Sequence, residues 1–223
     1  MSAAAVLLAR LGRRGGLRLG GEPRGASPRL PIGLADLDRA LGGGLPRGRV
    51  TELVGPRSTG RTGLAARIAA SATGAGETIA WVDPADALDP EALATAGVRL
   101  DRTLWVRPRT PLDALRAAEV LLGAGGFGLV VLDLEAAPRV PRGCALRLTR
   151  AAAATSSTLL LLAPAPVAGA GAALALATTG RRVRWSGGPG RLTLLDGIET
   201  RLTVALSRVG PSGQALVVRQ VCA

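Results

Sequence analysis

The stretch that most constrains this chain runs from Val50 to Gly63, Val-Thr-Glu-Leu-Val-Gly-Pro-Arg-Ser-Thr-Gly-Arg-Thr-Gly. Val50 to Val54 is an apolar run of strand length, the pattern of a strand buried on both faces. It breaks into a glycine-bounded turn, Gly55 to Gly60, and an alanine-rich segment of helical spacing follows from Thr62 to about Ala72. Strand, glycine turn and helix together make the layout of a phosphate-binding loop. Loop amides point inward and the helix N-terminus adds partial positive charge, so backbone alone can hold most of a phosphate. Of the pattern G-x-x-x-x-G-K-[ST], the chain keeps Gly55, Gly60 and Thr62, but the lysine position holds Arg61. Gly55, Pro56, Ser58, Thr59, Gly60, Arg61, Thr62 and Gly63 are therefore the candidate nucleotide-binding residues.

A chain of 223 residues with 48% hydrophobic residues is long and apolar enough for one sizeable α/β core. Aromatics make up only 2%, so that core must be leucine, valine and alanine. The chain has no histidine, which excludes imidazole catalysis and histidine metal sites. Its two cysteines, Cys144 and Cys222, have neither metal-site spacing nor a disulfide framework, and a reduced, cytoplasmic setting is expected. The net charge of +12 is carried by arginine alone, since lysine is absent. That charge suits an acidic partner such as nucleic acid, and weak, salt-sensitive, sequence-indifferent DNA binding is expected.

Residues 1–30 read as a basic N-terminal segment, a short helix over Ala3 to Leu11 followed by a linker, and residues 31–223 as a single core domain. Leu34, Leu37 and Leu41 form one apolar stripe ahead of a glycine turn. Thr78 to Val82, Leu104 to Val106, Leu129 to Leu132 and Thr158 to Leu162 read as strands, the last one central. Asp86 to Ala96, Pro111 to Leu122 and Ala145 to Ala154 read as helices. Leu112, Leu115, Val120 and Leu122 are expected to supply most of the apolar face of the second. Leu159 to Thr178 approaches membrane-span length, but Pro164, Pro166, Gly169 and Gly171 interrupt it, and strand, loop and short helix are expected there. Val183 to Trp185, Leu192 to Leu195, Arg201 to Leu206 and Ala215 to Arg219 read as C-terminal strands. Asp133 ends an apolar strand well downstream of the phosphate loop, the layout of a carboxylate facing a magnesium water shell. Arg139 and Arg142, with Arg147 and Arg150, and separately Arg181, Arg182 and Arg184, are candidates for DNA or partner contact.

From about Pro31 to Arg219 the motifs, in order, resemble the RecA recombinase core. Gly55-Pro-Arg-Ser-Thr-Gly-Arg-Thr62 is similar to its phosphate loop, and Trp81-Val-Asp-Pro-Ala-Asp-Ala-Leu-Asp-Pro90 to the stretch FIDAEHALDP. Gly97-Val98, Leu129-Val-Val-Leu-Asp133 and Glu199-Thr-Arg201 also match. The resemblance implies an α/β fold with a RecA-like phosphate-loop core: a mostly parallel central sheet flanked by helices, with antiparallel C-terminal strands. Within that group, Pro31-Ile-Gly-Leu-Ala-Asp-Leu-Asp-Arg-Ala-Leu-Gly-Gly-Gly-Leu-Pro-Arg-Gly48 looks like the start of the ImuA family, RecA-like members of the ImuA–ImuB–DnaE-type mutagenesis cassette.

The departures matter as much as the matches. The family's loop lysine falls at Arg61, its catalytic glutamate at Ala85, its adenine-stacking tyrosine at Ala92 and its γ-phosphate-sensing glutamine near Ala165. Of two lysines reaching a neighbouring subunit's nucleotide, one falls at Leu206 and the other at Arg208. The segments after Asp133 and after Leu162, the family's DNA-binding loops, are short. The resemblance therefore implies an accessory of SOS-induced translesion synthesis that binds RecA and an ImuB-like Y-family polymerase homologue, with a DnaE-type polymerase reached indirectly. No catalytic residue is assigned and hydrolysis is expected to be absent or very slow. Weak binding of ATP and Mg2+ through the loop amides, Thr62 and Asp133 is left open. No metal site of the protein's own and no membrane contact is expected, and localisation is expected to be cytoplasmic and nucleoid-associated when active. The alternative is an active DNA-dependent ATPase of homologous recombination that uses Arg61 in lysine's role.

Overall fold

The computed structural model describes residues 28–134, 140–188, 193–210 and 212–221. The expected helix over Ala3 to Leu11 and Arg139 lie outside the described residues.

The apolar runs become parallel strands: β3 (Val50–Val54), β4 (Thr78–Val82), β5 (Thr103–Val106), β6 (Phe127–Asp133) and β7 (Thr158–Ala163). A two-residue pair, β1 (Arg29–Leu30) and β2 (Leu45–Pro46), precedes them. Three long strands close the chain, β8 (Ala172–Ser186), β9 (Leu194–Ser207) and β10 (Ala215–Val221). Eight strands form one sheet in the order β10-β9-β8-β3-β7-β6-β4-β5. It is parallel from β8 to β5 and antiparallel at β8-β9-β10.

Alternation explains why the parallel strands read as unbroken apolar runs: both faces are covered. Ile79, Trp81, Leu129, Val131, Leu160 and Leu162 enter one core, and Ala80, Val82, Val130, Leu132, Leu159 and Leu161 enter the other. The first core takes in α1 (Ala35–Ala40), α2 (Arg61–Gly74) and α3 (Pro90–Thr95). The second is covered by α4 (Pro111–Ala124) and α5 (Arg142–Thr155).

Several expectations need correction. On α4 the buried residues are Ala114, Leu115, Ala118 and Leu122, whereas Leu112 is 46% and Val120 69% exposed. Leu115 and Leu122 are buried as expected, and Ala114 and Ala118 complete their face at helical spacing, whereas Leu112 and Val120 fall outside it. The third helix begins at Pro90, later than Asp86, because Asp89 caps it by accepting from the Glu91 and Ala92 amides. Asp86 has a left-handed backbone, φ 51°, and cannot open the helix. The short helix expected after Pro166 is a three-residue 3₁₀ helix (Gly169–Gly171), and it leads directly into β8, which is continuous to Ser186. The two short strands read around Leu192 to Leu206 are one strand, β9. No helix among the described residues is long and apolar enough to cross a membrane.

The connection from β7 to β8 carries a feature invisible in the linear pattern. Val54 pairs with Ala163 on one side and with Ala177 on the other, while Val50 pairs with Ala172. Residues 164–171 must therefore return the whole length of β3 before β8 begins. The buried Glu52 of β3 holds this return, accepting from the Val167 amide at 2.7 Å and the Ala168 amide at 2.6 Å on one carboxylate oxygen. A buried carboxylate is tolerated because it satisfies two amides that a short crossover cannot pair with a ladder. Glu52→Ala is expected to lower the unfolding free energy by about 2–4 kcal/mol in urea titration, with Glu52→Gln losing clearly less. A loss below about 0.5 kcal/mol for the alanine variant would show that the crossover is held by other contacts.

Candidate functional site

All parallel strands end at one edge of the sheet, and there the candidate residues assemble. β3 runs into the loop, whose Gly55 amide donates to the Ala163 carbonyl at 3.2 Å. Gly55 has φ 154°, and a Cβ built on it lies 2.1 Å from Thr178 Oγ1 and 2.4 Å from the Thr178 carbonyl oxygen. Only glycine lets β8 approach the loop this closely. Thr59, 7% exposed, donates to the Pro56 carbonyl at 2.7 Å and lies 2.7 Å from Thr178 Oγ1, which is 3.1 Å from the Val54 carbonyl. Two hydroxyl protons thus serve three oxygen contacts, and they tie the loop to a strand far away in sequence.

The loop turns into α2 through Ser58 at φ 60° and Gly60 at φ 87°. Gly60 is the helix N-cap, no side chain caps the first turn, and that turn has no acidic residue. The α2 N-terminus therefore presents its amides and dipole to a cleft of about 440 Å³ without internal neutralisation. Arg57, Ser58, Gly60, Arg61, Thr62 and Gly63 line this cleft together with Asp133 from the end of β6. Pro56 is exposed at the loop's outer side, and Gly55 and Thr59 lie beneath it. The sequence-predicted residues on the loop and at Asp133 are therefore brought to one place.

The residues present fit a phosphate. Nη1 of Arg61 is buried and has no hydrogen-bond partner among the described residues. A donor of fixed charge held in this way, beside a helix N-terminus, suits a phosphoryl oxygen. Asp133 lies across the cleft, where it would face a magnesium hydration shell.

Around the loop the carboxylates turn elsewhere. Asp83, 3% exposed, follows β4 and accepts from the Leu88 amide at 2.9 Å. Asp86 faces Arg107 at 3.4 Å, and the guanidinium of Arg107 in turn lies 4.8 Å from the Trp105 ring centre. The residues of this segment that reach the cleft are Ala87 and Leu88. Ala85, Ala92 and Ala165 are exposed, and Leu206 packs against the second core. Arg208 is exposed and donates to the Ala170 carbonyl at 2.8 Å.

The basic candidates do not converge on the cleft. Arg142 is the first residue of α5. Arg147 pairs with Glu119 at 2.9 Å, and that carboxylate holds the guanidinium pKa above its usual value. Arg181, Arg182 and Arg184 lie on the part of β8 that continues past its pairing with β3. One cleft residue had no sequence signal: Ile198 of β9. It reaches the cleft because β9 pairs with the continuing β8, which only the sheet order reveals.

A profile for the family described as RecA N-terminal domain matches residues 3–145. The chain is similar to the RecA protein of Saccharopolyspora erythraea, 43% identical over 127 residues, which is 56% of this chain and 36% of that one. It is likewise similar to the RecA protein of Kineococcus radiotolerans, 42% identical over 137 residues, 61% of this chain and 39% of that one. The matched region thus spans well under half the length of these relatives. Among solved structures it resembles the RadB recombinase with a TM-score of 0.64 at 21% identity, over 85% of this chain and 95% of that one, a likeness of fold.

Two outcomes are expected from this geometry. Arg61→Ala weakens binding of inorganic triphosphate about ten-fold or more in calorimetric titration, because the buried guanidinium is removed from the cleft. Gly55→Ala destabilises the fold by about 3 kcal/mol or more in thermal denaturation, and Thr178→Ala does not rescue it, since the clash with the Thr178 backbone oxygen remains.

Proposed function

This chain belongs to the RecA N-terminal domain family, and from that premise we propose that it is a RecA-like accessory protein of DNA-damage-induced translesion synthesis, of the ImuA type, that works by docking and not by turnover. The observation that carries this reading is the mismatch within one cleft. The phosphate-holding parts are together: the loop, Arg61, Thr62 and Asp133. The position where the family's water-aligning glutamate falls is Ala85, and the adjacent carboxylate, Asp86, is directed to Arg107. Phosphoryl transfer depends on positioning and charge stabilisation, so loss of the group that orients the attacking water costs orders of magnitude in rate.

ATP with Mg2+ would be held by the loop amides, Arg61, Thr62 and Asp133, and the metal would supply charge neutralisation at the phosphates. Arg61 keeps the lysine's charge but spreads it over a planar guanidinium of greater bulk, which loosens its aim at a single phosphoryl oxygen. The protein is then used for its surfaces. A RecA subunit and an ImuB-like polymerase homologue are the partners this reading assigns, with a DnaE-type polymerase joined through the latter.

Purified protein is expected to show no ATP turnover above background, with or without single-stranded DNA, and Arg61→Lys is expected not to restore it. The same preparation is expected to retain RecA and an ImuB-like protein in pull-down. DNA-stimulated turnover at a rate ordinary for a recombinase, with ATP-dependent filaments on single-stranded DNA, would establish the active ATPase instead. Retention of neither partner would remove the accessory role.

A further inference from the structure

Beyond Thr178, β8 leaves the parallel sheet and continues as an antiparallel ribbon with β9 and β10. One face of it walls the nucleotide cleft through Ile198. The opposite face carries two adjoining concavities of about 490 and 380 Å³. Arg182 and Glu199, paired across β8 and β9, belong to both, so the two form one trough. From Thr179 to Trp185 the trough extends about 20 Å at the rise of a strand.

Its chemistry is graded along that length. Arg201 and Arg182 are exposed and have no hydrogen-bond or ion-pair partner among the described residues. Arg184 is paired with Glu199 at 3.0 Å, and the Glu199 side chain is 16% exposed. At one end Val217 is 61% exposed, and at the other Trp185 is 60% exposed. A register shift between Arg184 and Trp185 lets these neighbours line the same concavity. Val217 pairs with Arg201 across β10 and β9, so among the described residues the trough presents Val217 beside Arg201 at one end, Arg182 about 7 Å further along the strands, and Trp185 at the other end.

We propose that this trough binds a short extended segment of a partner protein carrying acidic side chains between apolar ones. Alternate side chains of an extended peptide project to one face at a repeat of about 7 Å. That repeat sets one carboxylate against Arg201 and the next against Arg182, with one apolar residue toward Val217 beside Arg201 and another toward Trp185. A nucleic-acid strand fits less well, because Trp185 is the one aromatic ring among the described residues of the trough and offers no row of stacking platforms for successive bases. Aromatic and arginine residues at a solvent-exposed concavity are also the composition of protein contact hot spots. The inference stands on the ribbon alone and does not depend on the activity assigned to the nucleotide cleft.

The test uses the full chain and a fluorescein-labelled heptapeptide, Leu-Ser-Asp-Ser-Asp-Ser-Leu, read by anisotropy, with an Asn-for-Asp peptide and a labelled oligothymidylate of matching length as controls. The acidic peptide is expected to bind at least about ten-fold tighter than the Asn peptide and to weaken with salt. R182Q/R201Q is expected to abolish that preference, and Trp185→Ala to weaken both peptides, with circular dichroism melts unchanged. The milder single variant Arg201→Gln, at an exposed position, is expected to lose part of the preference if the double variant melts early. No measurable peptide binding, equal binding of both peptides, or oligothymidylate bound through Arg182 and Arg201 in the peptide's place would overturn the proposal.

Discussion

The contact between Thr178 and the loop at Gly55 and Thr59 supports most of what is distinctive here. A strand from the C-terminal third is pressed against the turn after β3 so closely that any Cβ at Gly55 would overlap it. The two threonine hydroxyls, 2.7 Å apart, lock that approach in a buried setting, where an unsatisfied hydroxyl would be costly. With β8 held there, Ser58 and Gly60 take their left-handed conformations, α2 starts without a side-chain cap, and the cleft has its floor. The same contact fixes the height at which β8 leaves the sheet. The ribbon then rises beside the loop and sets Ile198 against it.

Two buried carboxylate arrangements frame this edge in different ways. Glu52 is spent entirely on structure, holding the return of the chain along β3. Asp83 is likewise spent, on the turn after β4. Asp133 remains beside the loop at the end of a strand whose register with β7 is regular to its last residue. The cleft thus joins a phosphate-holding loop to one strand-end aspartate, with Ala87 and Leu88 at its margin, and suits an anion. An arginine-only cationic set reinforces this, because guanidinium favours planar, multi-point contacts with anions.

The strands of the parallel sheet were legible because burial on both faces makes each a continuous apolar run with strand-like length, as in Val50 to Val54 and Leu129 to Leu132. The loop was legible because its glycines answer a local backbone demand. Other parts were not. On α4 Leu115 and Leu122 were read correctly, but Leu112 and Val120 were misread because Ala114 and Ala118 fill the other positions of that face. Of β8 only Val183 to Trp185 was legible as a strand, because its first part lies in the segment that Pro164, Pro166, Gly169 and Gly171 interrupt; the strand in fact starts at Ala172 and runs on through Gly180 at φ 62°. Glu52 gave no signal, since an isolated acid in an apolar strand says nothing of which distant amides it will meet.

What the amino-acid order determined alone was local: strand, turn and helix around the phosphate loop, the aspartate at the end of β6, and the absence of a carboxylate at position 85. These depend on backbone conformation and on side-chain chemistry within a few residues. Tertiary structure alone decided that Thr178 completes the loop, that Ile198 enters the cleft, and that Arg182 and Arg201 share a face with Trp185 and Val217. Those placements follow from which strands pair and in what register, and pairing between residues so far apart in the chain is set by packing of the whole sheet.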